Sequence, residues 1–485
     1  MPTPPKKQGQ LKPQLTLLSA IILVVSSVIG SGVFKKVAPM SAELGSPVLV
    51  LVCWVLAGLI SLFGALSNAE IAGMFAGSGG DYVYFKRIYG RFMAFMYGWS
   101  VFAVIKTAAV SSIAYVFAHS VNTIFPLPEL PMPLAGYELL GLFRPFENFG
   151  VKMLTILLIL MLTLINVRGL RGGARLSTLL TWLTVGGLLF IVVAGLTKGG
   201  GSFQNIQSNA VVTGTENNSG FEFVKTMFAA MLAAFWAYEG WNTIGFIGGE
   251  IHHPRKNIPL ALFGGMAIII VAYLLVNFTY LYVLPIDDLI QVFTTQNDIA
   301  GVAVIRHFAG PTGAFFLSLL IIITTLGCTN STIIMPPRIY QAMAGDRLFF
   351  RSLVRIHPTY NTPDKALWLQ GAWASLLVLS GSFDQLTDML IFVVFFFYGA
   401  TALGVFIMRF REPGLERPYK VWGYPVIPAL FILFCVSLLV ITCFTNPREA
   451  GIGFVLVLAG IPFYLFWNRS SNQSSNQNIN QSKNV

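Results

Sequence analysis

Two short stretches set glycines beside polar groups in the middle of long apolar runs. The first runs from Ser26 to Phe34 and reads SSVIGSGVF, with Gly30 and Gly32 flanking Ser31. The second runs from Phe235 to Asn242 and reads FWAYEGWN, with Gly245, Gly248 and Gly249 just beyond. A glycine inside a helix costs about 0.5–1 kcal/mol relative to alanine, so two in three residues predict local unwinding. Unwinding frees backbone N–H groups at the start of the second half-helix, where the dipole is positive. A carboxylate would dock there on the amides of Ser31, Gly32 and Val33, with the Ser31 hydroxyl as a further donor. A bulky residue at 32 would block that approach. Unpaired carbonyls near Val28 and Ile29, and near Phe235 and Trp236 in the other break, would accept from an ammonium. The two breaks together would read an α-amino acid by its two ends, leaving side chains to choose the R group. The competing reading makes Gly-Ser-Gly a close-packing motif between helices.

Two charges sharpen the picture. Lys106 sits midway in the apolar stretch VFAVIKTAAV, and Glu239 lies within the second break. A lysine at the centre of a membrane costs about 2.5–3.5 kcal/mol on insertion scales, and such charges face a partner or a water-filled cavity. The two residues are expected to pair, which would withhold Glu239 from a cationic side chain and favour a neutral substrate. The alternative is separate neutralised or hydrated residues with structural roles.

These residues are carried by a chain of 485 residues, 55% hydrophobic and only 11% charged, with a mean hydropathy of +0.71. Soluble domains carry about 25% charged residues, so the solvent here is lipid. That excludes a soluble enzyme, a secreted disulfide scaffold and a disordered regulator. Cys53, Cys328, Cys435 and Cys443 lie in or beside apolar runs with no metal spacing, and the five histidines are scattered. No metal and no cofactor are expected. The net charge of +11 points to no nucleic acid, because the basic residues share no single face.

Apolar runs recur at roughly 15–38, 47–72, 92–120, 151–167, 173–197, 222–249, 258–284, 312–343, 366–381, 386–410, 425–444 and 451–468. Each is near the ~20 residues a bilayer requires, and only helices satisfy their own backbone there. The fold class is therefore an all-α integral membrane protein of about twelve transmembrane helices. A tight turn is expected from Gly381 to Asp388. With the N-terminus inside, most of the 31 Lys and Arg residues fall on inner segments, which places both termini in the cytoplasm. A polar tail at 1–14 precedes the twelve-helix domain at 15–468, and the Asn/Ser/Gln-rich tail at 469–485 is read as disordered. Breaks in the first and sixth spans suit an inverted five-plus-five repeat, about 15–197 and 222–410, with two further helices at 425–468. Paired breaks of this kind point to a midplane substrate site in secondary transporters.

At these residues the sequence resembles the L-type amino acid transporters of the amino acid–polyamine–organocation superfamily. The matching pieces are IGSGVF at 29–34, LGSP at 44–47, WAYEGWN at 236–242, EIHHPRKNIP at 250–259, GCTNSTIIMPPR at 327–338 and REPGLERPYKVWGYP at 411–425. The resemblance implies the leucine-transporter-like fold, with the substrate's ends held at Val28, Gly30, Ser31 and Gly32. It also implies a gating aromatic at Trp236, a pocket lined by Ala237, Glu239 and Tyr398, and a supporting polar residue at Asn242. Many relatives have Gly or Asp in place of Glu239 and a Lys midway along the fifth helix, where Thr184 stands here. Coupling is thus open between exchange and a proton or sodium gradient, and a carrier of cationic amino acids or polyamines is the alternative. The implied setting is a plasma membrane, a bacterial inner membrane by resemblance. No accessory subunit is expected, since the outer loop at 198–220 has no Cys to bridge one.

Overall fold

The computed structural model describes residues 13–138, 144–210, 220–296, 299–380 and 383–469. Among these, nine helices are long and apolar enough to cross a membrane, from Pro47–Met74 to Ala450–Arg469. Leu17–Val28, Gly220–Tyr238 and Asp364–Ser380 complete the twelve-span arrangement as the first, sixth and ninth spans. The first and sixth are short because each is interrupted. The first helix ends at Val28, Ile29 turns extended, and a new helix starts at Gly32. The sixth ends at Tyr238, Gly240 takes a left-handed conformation, and the chain continues as the 3-10 turns Trp241–Phe246 and Gly248–Glu250. Most of both tails and part of the outer loop at 198–220 lie outside the described residues. Of the turn expected from Gly381 to Asp388, residues 383–388 belong to the tenth helix, which begins at Phe383, and 381–382 lie outside the described residues.

Prolines and glycines set the remaining boundaries. Pro47 and Pro254 open the second and seventh spans at positions where a missing N–H costs nothing. Gly310, with φ of 64°, and Pro311 bend the start of the eighth. The broken first span packs against the fifth, seventh and eighth, and the third packs against the fourth, eighth, ninth and tenth. The two breaks therefore meet in the middle of the bundle.

The face that carries the N-terminus is closed by buried ion pairs. Arg338 of the eighth span donates to Glu250, at the end of the sixth, through Nε at 2.8 Å. The Glu250 carbonyl in turn accepts from the amides of Gln14 and Leu15. Glu70, at the end of the second span, accepts from Arg409 through both oxygens at 2.9 and 2.7 Å and from the Val421 amide at 2.7 Å. This single carboxylate anchors the loop of the REPGLERPYKVWGYP motif beneath the bundle. Removing one partner of a buried pair typically costs about 3–5 kcal/mol. Glu70→Gln is accordingly expected to lower the melting temperature of the purified protein markedly. Arg409→Lys, which keeps the charge but loses the two-pronged geometry, should cost less. Thermal unfolding in detergent checks both.

Candidate functional site

The site begins with the touching of two broken backbones. A Cβ on Gly32 would lie 2.6 Å from Ala237 Cβ and 2.7 Å from Ala237 Cα, so only glycine permits this approach. Gly240 has φ of 113°, and a Cβ there would stand 2.5 Å from the Ser27 carbonyl oxygen. Gly32 is thus a contact surface between helices as well as an amide donor. A bulky residue at 32 would also press on Ala237 of the sixth span, a packing constraint beside the blocking role expected from the sequence.

The donors expected for a carboxylate are present at the first break. The amides of Gly30, Ser31, Gly32 and Val33 have no backbone acceptor among the described residues. The Ser31 hydroxyl is buried without a partner among the described residues. A buried hydroxyl left unpaired typically costs about 1–3 kcal/mol, which a ligand group would recover.

The acceptors differ from expectation. Tyr273 Oη lies 3.1 Å from the Val28 carbonyl oxygen and 2.9 Å from the Ala237 carbonyl oxygen, and its one proton serves one of them at a time. The Trp236 carbonyl accepts from the Glu239 amide at 3.3 Å. Trp236 therefore is not unpaired, Val28 shares its donor with Ala237, and each carbonyl keeps a second lone pair. Phe235 turns its ring to Phe395 and Phe434, with centroids at 4.8 and 5.1 Å. Tyr273, on the seventh span, holds both breaks with one hydroxyl. No signal in the sequence marks this role, because a tyrosine in an apolar helix reads first as packing.

Lys106 and Glu239 stand beside this dock. Lys106 Nζ lies 2.6 Å from Glu239 Oε1, with both side chains buried. A π-helical turn, Val101–Ile105, immediately precedes Lys106, and Thr107 Oγ1 reaches back to the Phe102 carbonyl at 2.7 Å. Such turns insert one extra residue into a helix and rotate the side chains beyond them. Tyr398 Oη lies 3.2 Å from Glu239 Oε1 and 3.1 Å from Asn242 Oδ1. Its one proton serves one acceptor at a time. Asn242 Nδ2 then donates to Asp81 Oδ2 at 2.9 Å. Ala237 and Trp236 are buried at the same crossing.

The hydroxyls of the fifth and eighth spans that could serve a sodium ion mostly satisfy each other and their own helix. Thr184 Oγ1 and Thr324 Oγ1 share a hydrogen bond at 3.0 Å. Thr325 and Thr329 donate to the carbonyls of Ile321 and Thr325. Ser331 bonds Ser177 and Ser26, each at 2.8 Å. No group of three His, Cys, Asp or Glu suited to a metal occurs among the described residues.

The amino acid permease family profile matches residues 15–467, and the chain belongs to that family, within the amino acid–polyamine–organocation superfamily. It is 31% identical over 456 residues to the serine/threonine exchanger SteT of Bacillus subtilis, covering 94% of this chain and 96% of that protein. It is 27% identical over 475 residues to the human cystine/glutamate transporter, covering 96% of this chain and 88% of the relative. The human large neutral amino acids transporter small subunit 2 is 27% identical over 467 residues, covering 94% and 81%. These relatives are transporters, not enzymes.

The ion pair yields a direct expectation. Lys106→Met and Glu239→Gln each leave a buried charge alone and should each cost about 3–5 kcal/mol, while the double variant should return close to the wild type. Melting temperatures of the four proteins close the cycle. Strictly additive losses would mean that the two side chains do not depend on each other.

Proposed function

We propose that this permease moves neutral L-amino acids across the plasma membrane as an exchanger, exposing the dock between the broken helices alternately to each side. The observation that carries the reading is the Lys106–Glu239 pair at 2.6 Å. With these two charges cancelling, the substrate's own carboxylate and ammonium are what the surrounding backbone reads. We assign the carboxylate to the amides of Ser31, Gly32 and Val33 and to the Ser31 hydroxyl. The ammonium falls to the carbonyls around Val28, Ile29, Phe235 and Trp236. Gly30 completes the turn, Trp236 closes over the substrate, and Ala237, Glu239 and Tyr398 form the wall that Asn242 supports.

Charge and cysteine placement support the remaining assignments. The bias of Lys and Arg favours both termini in the cytoplasm, in a bacterial inner membrane. The four cysteines lie in or beside helical spans, which supports a chain that works without a disulfide-linked accessory subunit. A carrier of cationic side chains would need Glu239 free, and Lys106 occupies it. Exchange is favoured over ion coupling because no Lys lies midway along the fifth span, where Thr184 is engaged by Thr324.

Counterflow in liposomes tests the proposal, with serine and threonine as first probes and leucine, lysine and glutamate beside them. Vesicles loaded with unlabelled neutral amino acid are expected to take up labelled serine or threonine severalfold faster than empty vesicles, with or without sodium or a proton gradient. Equal uptake into empty and loaded vesicles, driven by either gradient, would contradict exchange. Preferred uptake of lysine would contradict the neutral pocket.

A further inference from the structure

Asp81 belongs to the GGDY sequence at 79–82, just before the third span, and the proposed transport cycle leaves it without a role. It opens the short helix Asp81–Ile88 and is almost wholly buried. Three neutral donors from three spans converge on it. Asn68 Nδ2 of the second span reaches Oδ1 at 2.6 Å. Tyr97 Oη of the third reaches Oδ2 at 3.2 Å, and Asn242 Nδ2 of the sixth reaches the same oxygen at 2.9 Å. Among the described residues no Lys, Arg or His stands within ion-pair distance. A buried carboxylate with donors but no cation is an unusual and costly arrangement.

Its place in the fold sets what it can govern. The loop before it lies against the end of the broken sixth span, with the Gly79 amide donating to the Phe246 carbonyl at 2.9 Å. Ser78 and Ile247 form a short bridge there. Asp81 therefore closes the contact between the third span and the second half of the sixth, on the face that carries the N-terminus. An opening that draws the sixth span from the third would part Asn242 from Asp81 and admit water.

We propose that Asp81 is a proton-binding site in the seal of this face, occupied while the face is closed and vacated when it opens. The proposal takes its orientation from the transport reading above. Burial pushes the carboxyl up to about 6, against the lowering effects of the Asn242, Asn68 and Tyr97 hydrogen bonds and of Lys106. The other titratable groups facing it are Tyr84 on its own helix, Tyr97 on the third span, Tyr398 on the tenth, and Glu239, which Lys106 neutralises. Phenols ordinarily ionise only near pH 10, so the tyrosines add no charge here. A hydrated carboxyl in the open state returns toward the usual 3.8. The closed state thus holds the proton more tightly, so acid favours closure and opening releases the proton. The same linkage fixes the effect on folding. A raised carboxyl pKa means that stability rises as pH falls through about 6 and is gained in full below 3.8.

Two readouts test the proposal, one of them independent of transport. In detergent, wild-type melting temperature minus that of Asp81→Asn should rise as pH falls from about 8 to about 5, because the asparagine variant lacks the titration. Asn68→Leu removes one donor to the carboxylate and should move the acid-driven change in melting temperature to higher pH than in the wild type. In liposomes, counterflow of a neutral amino acid should fall as the Asp81 face is acidified, by on the order of tenfold at one unit below the midpoint. Asp81→Asn should abolish that fall, and Asp81→Glu should keep it. Parallel pH profiles for wild type and Asp81→Asn in both readouts would overturn the proposal. Identical melting profiles for wild type and Asn68→Leu would do the same, even if Asp81→Asn failed to fold. If counterflow is absent altogether, the transport reading fails, and the melting profiles still decide the proton site.

Discussion

Two opposite charges in the middle of a membrane protein must touch, and much of this site is arranged so that they do. Lys106 sits on a third span whose π-helical turn ends one residue earlier. Glu239 sits one residue before Gly240, whose left-handed backbone ends the sixth helix. Separating them would leave two isolated charges, each at a cost of several kcal/mol. The pair therefore ties the unwound segment of the sixth span to the third, and it removes net charge from the wall of the dock. Tyr398 extends the tie to the tenth span by sharing one hydroxyl between Glu239 and Asn242.

The breaks are held from the other side by Tyr273. Its hydroxyl lies between the Val28 and Ala237 carbonyls, one from each broken helix. Interrupted helices leave backbone groups that lipid cannot satisfy. Here those groups divide into a partly satisfied set of carbonyls and an unpaired set of donors. The Val28 and Ala237 carbonyls share the one proton of Tyr273, while the amides from Gly30 to Val33 and the Ser31 hydroxyl have no partner among the described residues. The same arrangement explains Gly32, whose missing side chain brings Ala237 against the first break.

Much of this is legible in the sequence, for identifiable reasons. Span count comes from apolar length, and the positions of both breaks come from glycine placed where it weakens a helix. The pairing of Lys106 with Glu239 is expected from the cost of leaving either charge alone, and its geometry comes from the structure. The features that sequence hides depend on partners far apart in the chain. The 3-10 turns of the sixth span after Gly240 lie against the loop at 77–81, through the Gly79 amide on the Phe246 carbonyl and the Ser78–Ile247 bridge. Tyr273 and Asp81 look in sequence like a packing aromatic and a helix-opening acid. Only tertiary placement, which puts the first between two carbonyls and the second among Asn68, Tyr97 and Asn242, separates them from those readings. The carbonyls of Val28 and Trp236 look free from sequence, because it reveals the break but not the groups that settle into it.

The central claim is that the two breaks recognise both ends of an amino acid through backbone groups, with no net charge contributed by the pocket wall. Competition for binding to the purified protein tests it most directly. Three competitors are set against a bound neutral amino acid: the same amino acid, its methyl ester, and the amine that lacks its carboxylate. Displacement is expected from the intact amino acid, with weak or no displacement by the ester and the amine. If the ester or the amine competes as well as the parent amino acid, the broken helices do not read the zwitterion and the claim is wrong.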